Sequence, residues 1–234
     1  FTPMRDNRFS VVDFDGSNDY IDCGNDSSLE LAGDITITAW INPTGADSSQ
    51  GIVTKRDSGG TNYYFALDSS TPPKLSFYDG SGSGTSTGTI TKDEWQHIAI
   101  SIDSGVTNGS IFYINGIASG TATLTITAND APLVIGRRLS DNYYEGSISS
   151  ASVYNTAKSA EEVYALYSKG ITYNESSESG LVGLWRMGDD TSKAYPTIAD
   201  SSSNSNDGTA SGAVEAQQMV AGYDMGAFES SSEE

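Results

Sequence analysis

One histidine in 234 residues decides much of the chemistry open to this chain. Nucleophilic catalysis of the Ser-His-Asp or Cys-His kind needs a histidine base, and His97 is the single candidate. It lies in residues 95–103, W-Q-H-I-A-I-S-I-D, opposite in phase to Ile98, Ile100 and Ile102. That pattern reads as a strand, with His97 as a packing and hydrogen-bonding residue in it. Zinc needs clusters of Cys and His. Cys23 is the only cysteine, so an internal disulfide is also excluded. The Gly-rich run at residues 80–88 lacks the lysine of a phosphate loop. The chain therefore reads as non-enzymatic.

Carboxylates offer a different chemistry. Thirty-one acidic residues stand against twelve basic ones, a formal charge of −19. Most of that excess reads as a solvated acidic surface. The sharper reading is a hard cation held on turns by carboxylates and carbonyls. Asp15, Asp19 and Asp22 surround the turn at Gly16, so they are the candidate ligands and Ca²⁺ the candidate cofactor. Asp13 and Asp15 share one strand face, but the turn follows at once, which suits a rim better than acid-base work.

Tyrosine and arginine supply the third possibility. Glycan sites use aromatic platforms flanked by polar groups at a loop rim. Tyr63-Tyr64, Tyr78 and Tyr143-Tyr144 are candidate platforms, near Arg56, Arg137, Arg138, Asp141 and Asn142 in sequence. Strand alternation turns one ring of each Tyr pair inward. The ligand-binding candidates are accordingly Arg56, Tyr64, Arg138, Asp141 and Tyr143. The competing reading is that every one of these tyrosines is packing.

These groups must be positioned by strands. Thirteen Tyr, seven Phe and three Trp furnish a core, and twenty-five Gly furnish turns. That balance suits an all-β protein large enough to bury a full core. Residues 51–56, 62–68 and 74–79 read as strands, residues 80–88 as a mobile loop, and residues 121–127 as a Thr-rich strand. Residues 159–169 read as a helix on the sandwich edge, with Ser159 as cap, Glu162 at the capping-box position and Gly170 as stop. Nucleic acid is a poor partner for so acidic a chain, and no apolar run is long enough to span a bilayer. Phe1 in place of Met is read as processing or as an incomplete chain.

Six segments occur in a telling order. Residues 12–22 read V-D-F-D-G-S-N-D-Y-I-D, and residues 34–40 read D-I-T-I-T-A-W. After residues 95–103 come I-F-Y-I-N-G at 111–116, L-V-I-G at 133–136 and E-G-S-I-S-S-A-S-V-Y at 145–154. The series resembles the laminin-G-like, concanavalin A-like lectin/glucanase sandwich family over roughly residues 8–168. The resemblance implies an antiparallel β-sandwich of jelly-roll topology and a recognition module. Glucanases of that family carry Glu-x-Asp-x-x-Glu on one strand, a motif this sequence lacks. The family's calcium-assisting Gly-x-Ile-Asp-Glu stretch is here Gly146-Ser147-Ile148-Ser149-Ser150, with serine at both acidic positions.

Beyond Gly170 the composition shifts. Residues 181–187, L-V-G-L-W-R-M, and 200–208, D-S-S-S-N-S-N-D-G, resemble the opening of the same kind of unit, set behind it. Their style also resembles marine bacteriophage structural proteins. The expected division is a sandwich at 1–170 and an extension at 171–234 that docks on the same chain or a neighbouring copy, with a disordered S-S-S-E-E tip. The expected function is a surface-displayed recognition or adhesion module, extracellular or on a virion, that binds a glycan or a surface protein. The alternative is a virion structural protein, such as a capsid decoration or tail appendage, that assembles with itself or with partner chains.

Overall fold

The structure is a computed structural model that describes residues 8–45, 48–56, 61–138, 142–212 and 216–220. In chain order its strands are β1 (Arg8–Asp15), β2 (Tyr20–Asp22), β3 (Ile35–Pro43), β4 (Gln50–Arg56), β5 (Thr61–Leu67), β6 (Leu75–Tyr78), β7 (Ser83–Thr85) and β8 (Gln96–Ile102). They continue as β9 (Ser110–Ile114), β10 (Ile117–Ala122), β11 (Leu133–Ile135) and β12 (Glu145–Tyr154). The helix α1 (Ala160–Lys169) follows, then β13 (Leu181–Trp185), β14 (Thr197–Ile198), β15 (Gly208–Ser211) and β16 (Ala216–Val220).

Two antiparallel sheets form a sandwich. The first runs β10-β9-β8-β3-β12-β1-β16, with β13 also on β12; the second runs β14-β15-β2-β11-β4-β5-β6-β7. Period-two alternation fills the space between them. Val12, Phe14, Ile37, Ile98, Ile100 and Phe112 come from the first sheet, and Ile21, Val53, Tyr63, Phe65, Phe77 and Ile135 from the second, all in one buried cluster. The alternation that marked these segments as strands is therefore the pattern that builds the core.

The segment after residue 170 enters both sheets. β12 has one edge taken by β3 along its length. Its other edge is shared: β1 pairs with residues 145–148 and β13 with residues 151–154. β16 pairs with β1, and β15 with β2. Trp185 is fully buried, and its indole N–H donates to the Asn206 carbonyl at 2.8 Å. The loop at 200–208 is tied down by Asp200, which accepts from the N–H groups of Leu184, Ser202 and Asn206.

Three local expectations change. Residues 80–88 are not a mobile loop throughout, because β7 pairs with β6 and Asp79 accepts from Ser81, Gly82 and Thr125 N–H. An Asx-type turn thus replaces the disorder that Gly and Ser content suggests. Of residues 121–127 only the first two lie in a strand, β10. Helix α1 has the full capping box at Ser159 and Glu162, yet it packs on the outer face of the first sheet, not its edge. Val163 meets Ala99 of β8 and Tyr113 of β9, which is why β8 is buried on both faces. The expected disordered tip lies outside the described residues.

Candidate functional site

Cross-strand register builds one aromatic platform. In β5, Tyr63 and Phe65 face the core, so Tyr64 faces outward. In β6, Leu75 and Phe77 face the core, so Tyr78 faces outward. β5 and β6 pair with Tyr64 directly opposite Tyr78. The two half-exposed rings stack at 5.4 Å with a 28° interplanar angle, an arrangement that such cross-strand neighbours favour. The Tyr78 hydroxyl donates to the Gly80 carbonyl at 2.8 Å, which fixes its rim position.

The arginines reach this platform from distant sequence. The chain leaves β11 and returns across β4, where the Asn142 carbonyl accepts from Gly51 N–H at 3.2 Å and from Arg138 N–H at 3.0 Å. Gly51 is required here by space: a Cβ on it would stand 2.3 Å from the Arg138 nitrogen. This close approach lays the Arg138 guanidinium over the Tyr64 ring, 4.6 Å from its centroid, and its Nη1 donates to Ser49 Oγ at 2.8 Å. Arg56, at the end of β4, places its guanidinium 6.0 Å from the same centroid. Next to them Arg137 lies 3.6 Å over the Tyr20 ring.

Of the five ligand-binding candidates, the structure thus joins Arg56, Tyr64 and Arg138. Tyr143 is half-exposed and bridges to Arg137 through the backbone, with Tyr144 as the inward ring of that pair; it is not joined to the Tyr64 platform. Asp141 lies outside the described residues. Tyr78 and Ser49 complete the cluster. Register across β5 and β6 could have paired Tyr78 with Tyr64, whereas nothing local in the sequence points to Ser49.

The three candidate metal ligands each accept a backbone N–H of their own turn. Asp15 accepts from Ser17 N–H at 2.7 Å and Asn18 N–H at 3.2 Å. Asp19 accepts from Asp15 N–H at 3.0 Å, and Asp22 from Gly24 N–H at 2.9 Å. Those bonds, the one from Ser17 foremost, hold the Asp15 carboxyl below its ordinary pKa. Each carboxylate is a turn cap, and among the described residues no group of three acidic, His or Cys side chains stands close enough to hold a metal ion. A ligand of the folded state raises stability by mass action. Millimolar Ca²⁺ is therefore expected to move the melting temperature of the wild type and of Asp15→Asn equally. A calcium shift in the wild type that Asp15→Asn abolishes would place a cation at this corner after all.

His97 is sealed from solvent. Its ring packs on Trp40 at 5.4 Å and on Tyr167 at 6.1 Å, and among the described residues neither ring nitrogen has a hydrogen-bond partner. The expected packing role is what the structure shows, while the expected ring hydrogen bond is missing; only the backbone N–H bonds, to Asn115 Oδ1. Burial holds the imidazole down to a pKa of about 3, so it is neutral at physiological pH and cannot reach a substrate.

The sequence profile of the concanavalin A-like lectin/glucanases superfamily matches residues 15–164. No curated protein matches the sequence. Among solved structures, a candidate carbohydrate-binding protein from Bacteroides ovatus aligns with a TM-score of 0.70 at 16% identity, over 90% of this chain and 60% of that one. The chain thus spans less than two thirds of that protein's length. A heptameric SAP-like pentraxin from Limulus polyphemus aligns at 0.57 and 17% identity, over 72% of this chain and 87% of its own. The CBM40 of a Ruminococcus gnavus sialidase, bound to α2,3-sialyllactose, aligns at 0.56 and 14% identity, over 68% and 97%. At these identities the likeness is one of fold.

Proposed function

The chain belongs to the concanavalin A-like lectin/glucanases superfamily, and from that premise we propose that it is a non-enzymatic glycan-binding module displayed outside the cell. The observation that carries the proposal is the stacked Tyr64–Tyr78 pair on the outer face of the second sheet, bordered by Arg138 and Arg56. Sugar rings present C–H faces that lie flat on aromatic rings, while hydroxyls take hydrogen bonds from neighbouring polar groups. Here the guanidiniums, Ser49 and the strand rim supply those donors. The Bacteroides protein, described as carbohydrate-binding, and the sialyllactose-bound Ruminococcus CBM40 share this fold and support the same ligand class. The non-enzymatic part rests on His97, whose burial removes the single histidine base from any surface site. No helix among the described residues is long and apolar enough to cross a membrane.

A glycan array followed by titration tests the reading. Tyr64→Ala should lower affinity for the retained glycan about tenfold or more, about 1.4 kcal/mol. It should leave the fold intact, because loss of a half-exposed cross-strand pair costs at most roughly 1 kcal/mol. An array on which no glycan is retained above background, with the chain folded by circular dichroism, would refute the proposal.

A further inference from the structure

Arg56 and Arg138 raise a question that platform packing leaves open. Both guanidiniums stand at the Tyr64 ring, 6.0 Å and 4.6 Å from its centroid, so two like charges share one ring. Like charges at such range repel unless an anion stands between them. Among the described residues neither forms a salt bridge. Arg186, by contrast, pairs with Asp189 at 2.6 Å. Among the described residues, the Nε of Arg56 and the Nε of Arg138 are both buried and have no hydrogen-bond partner. A buried donor left unsatisfied costs free energy, and paired instances in one cluster call for a specific acceptor.

We infer that the Arg56–Arg138 pair takes the anionic group of an acidic glycan, a carboxylate or a sulfate, seated against Tyr64. The inference rests on the glycan-binding reading and narrows it. Guanidinium presents its donors in a planar fork that matches an oxyanion with two oxygens. Tyr64 holds both forks by cation–π contact, and Ser49 fixes the far side of the Arg138 fork, so little ordering remains to be done when the anion arrives. Arg137, engaged on Tyr20, adds a third positive charge close by in the chain. Half of the six arginines in an otherwise acidic protein are thus gathered on neighbouring strands. A neutral glycan would leave the like-charge repulsion as it is; an oxyanion offsets it.

The test uses the full chain and three oligosaccharide probes: a hexuronate oligomer, a sulfated galactan oligomer and a neutral galactan of equal length. Calorimetric titration should show the acidic probes bound at least tenfold more tightly than the neutral one. Which of the two binds more tightly distinguishes carboxylate from sulfate. Arg138→Gln and Arg56→Gln should each weaken acidic binding tenfold or more and weaken neutral binding by a smaller factor, with melting temperatures checked for both variants. Arg138→Lys should recover only part of the loss, because the charge remains and the fork does not. Equal affinity for acidic and neutral probes, or acidic binding insensitive to both arginines, overturns the inference while the glycan reading stands. Binding of none of the probes, and of nothing on the array, overturns both.

Discussion

Removing residues 171–234 is expected to leave an unfolded or aggregating polypeptide and not a smaller domain. The reason is where the removed strands sit. β13 and β16 extend the first sheet, and β15 and β14 extend the second. Trp185, Leu184, Met187 and Ile198 are buried to within 1% and Val182 to within 7%. Five such side chains contribute roughly 1.5–3 kcal/mol each, so about 10 kcal/mol in all. That is the size of the whole net stability of a typical domain, about 5–15 kcal/mol. Truncation would also bare the edges of β1, β2 and part of β12, and open edges invite pairing with other chains. A milder probe is Trp185→Ala, which should cost about 3–5 kcal/mol. Trp185→Phe should lose less, chiefly the bond to the Asn206 carbonyl, about 1 kcal/mol. Chemical denaturation gives each value. A fragment of residues 1–170 that melts cooperatively and keeps its near-ultraviolet circular dichroism would overturn this account.

Local rules made part of this structure readable. Strand alternation sends Tyr63 inward and Tyr64 outward, and Tyr144 inward beside a half-exposed Tyr143. The capping box at Ser159 and Glu162 starts α1 where its spacing demands. The apolar run at 181–187 announced that it must be buried, since Trp185 and Leu184 cannot stay in water. Its partner could not be read, because pairing to residues 151–154 of β12 depends on which edge remains free once β3 and β1 are in place. The candidate site shows the same division. Tyr64 and Arg56 are nearly adjacent in sequence, but Arg138 joins them across 82 residues, through the Asn142 carbonyl on Gly51 N–H. Asp15, Asp19 and Asp22 read as candidate cation ligands because turns collect carboxylates, and the structure also has each accept a backbone N–H. A carboxylate spaced for a turn and one spaced for a metal look alike until the donors around them are known.

Acid should destabilise the protein through His97 at a higher pH than through Asp79. Burial alone lowers the pKa of this imidazole, from an ordinary 6.5 to about 3. The unfolded chain therefore takes up a proton near pH 6.5 that the folded state refuses until about pH 3. Protons bound preferentially by the unfolded state drive unfolding as pH falls, so this contribution is intact above pH 6.5 and is lost through the window from 6.5 down to about 3. The slope is about 1.4 kcal/mol per pH unit, giving roughly 3 kcal/mol by about pH 4.5. Asp79 acts in a lower window. Burial works to raise its pKa, but the N–H groups of Gly82, Thr125 and Ser81 outweigh it and the net shift is downward from 3.8. Its stabilising effect is present above 3.8 and fades only below that pH. Among the described residues both ring nitrogens of His97 are unpartnered, so His97→Leu removes the titrating group without breaking a bond, and an apolar replacement for an unsatisfied polar group is close to neutral in stability. Denaturation midpoints for wild type and variant should nearly coincide at about pH 7.5. They should separate in the variant's favour by roughly 3 kcal/mol near pH 4.5. Parallel pH profiles for the two proteins, or a wild type whose midpoint does not fall between pH 6.5 and 4.5, would show that the buried ring takes its proton in the folded state.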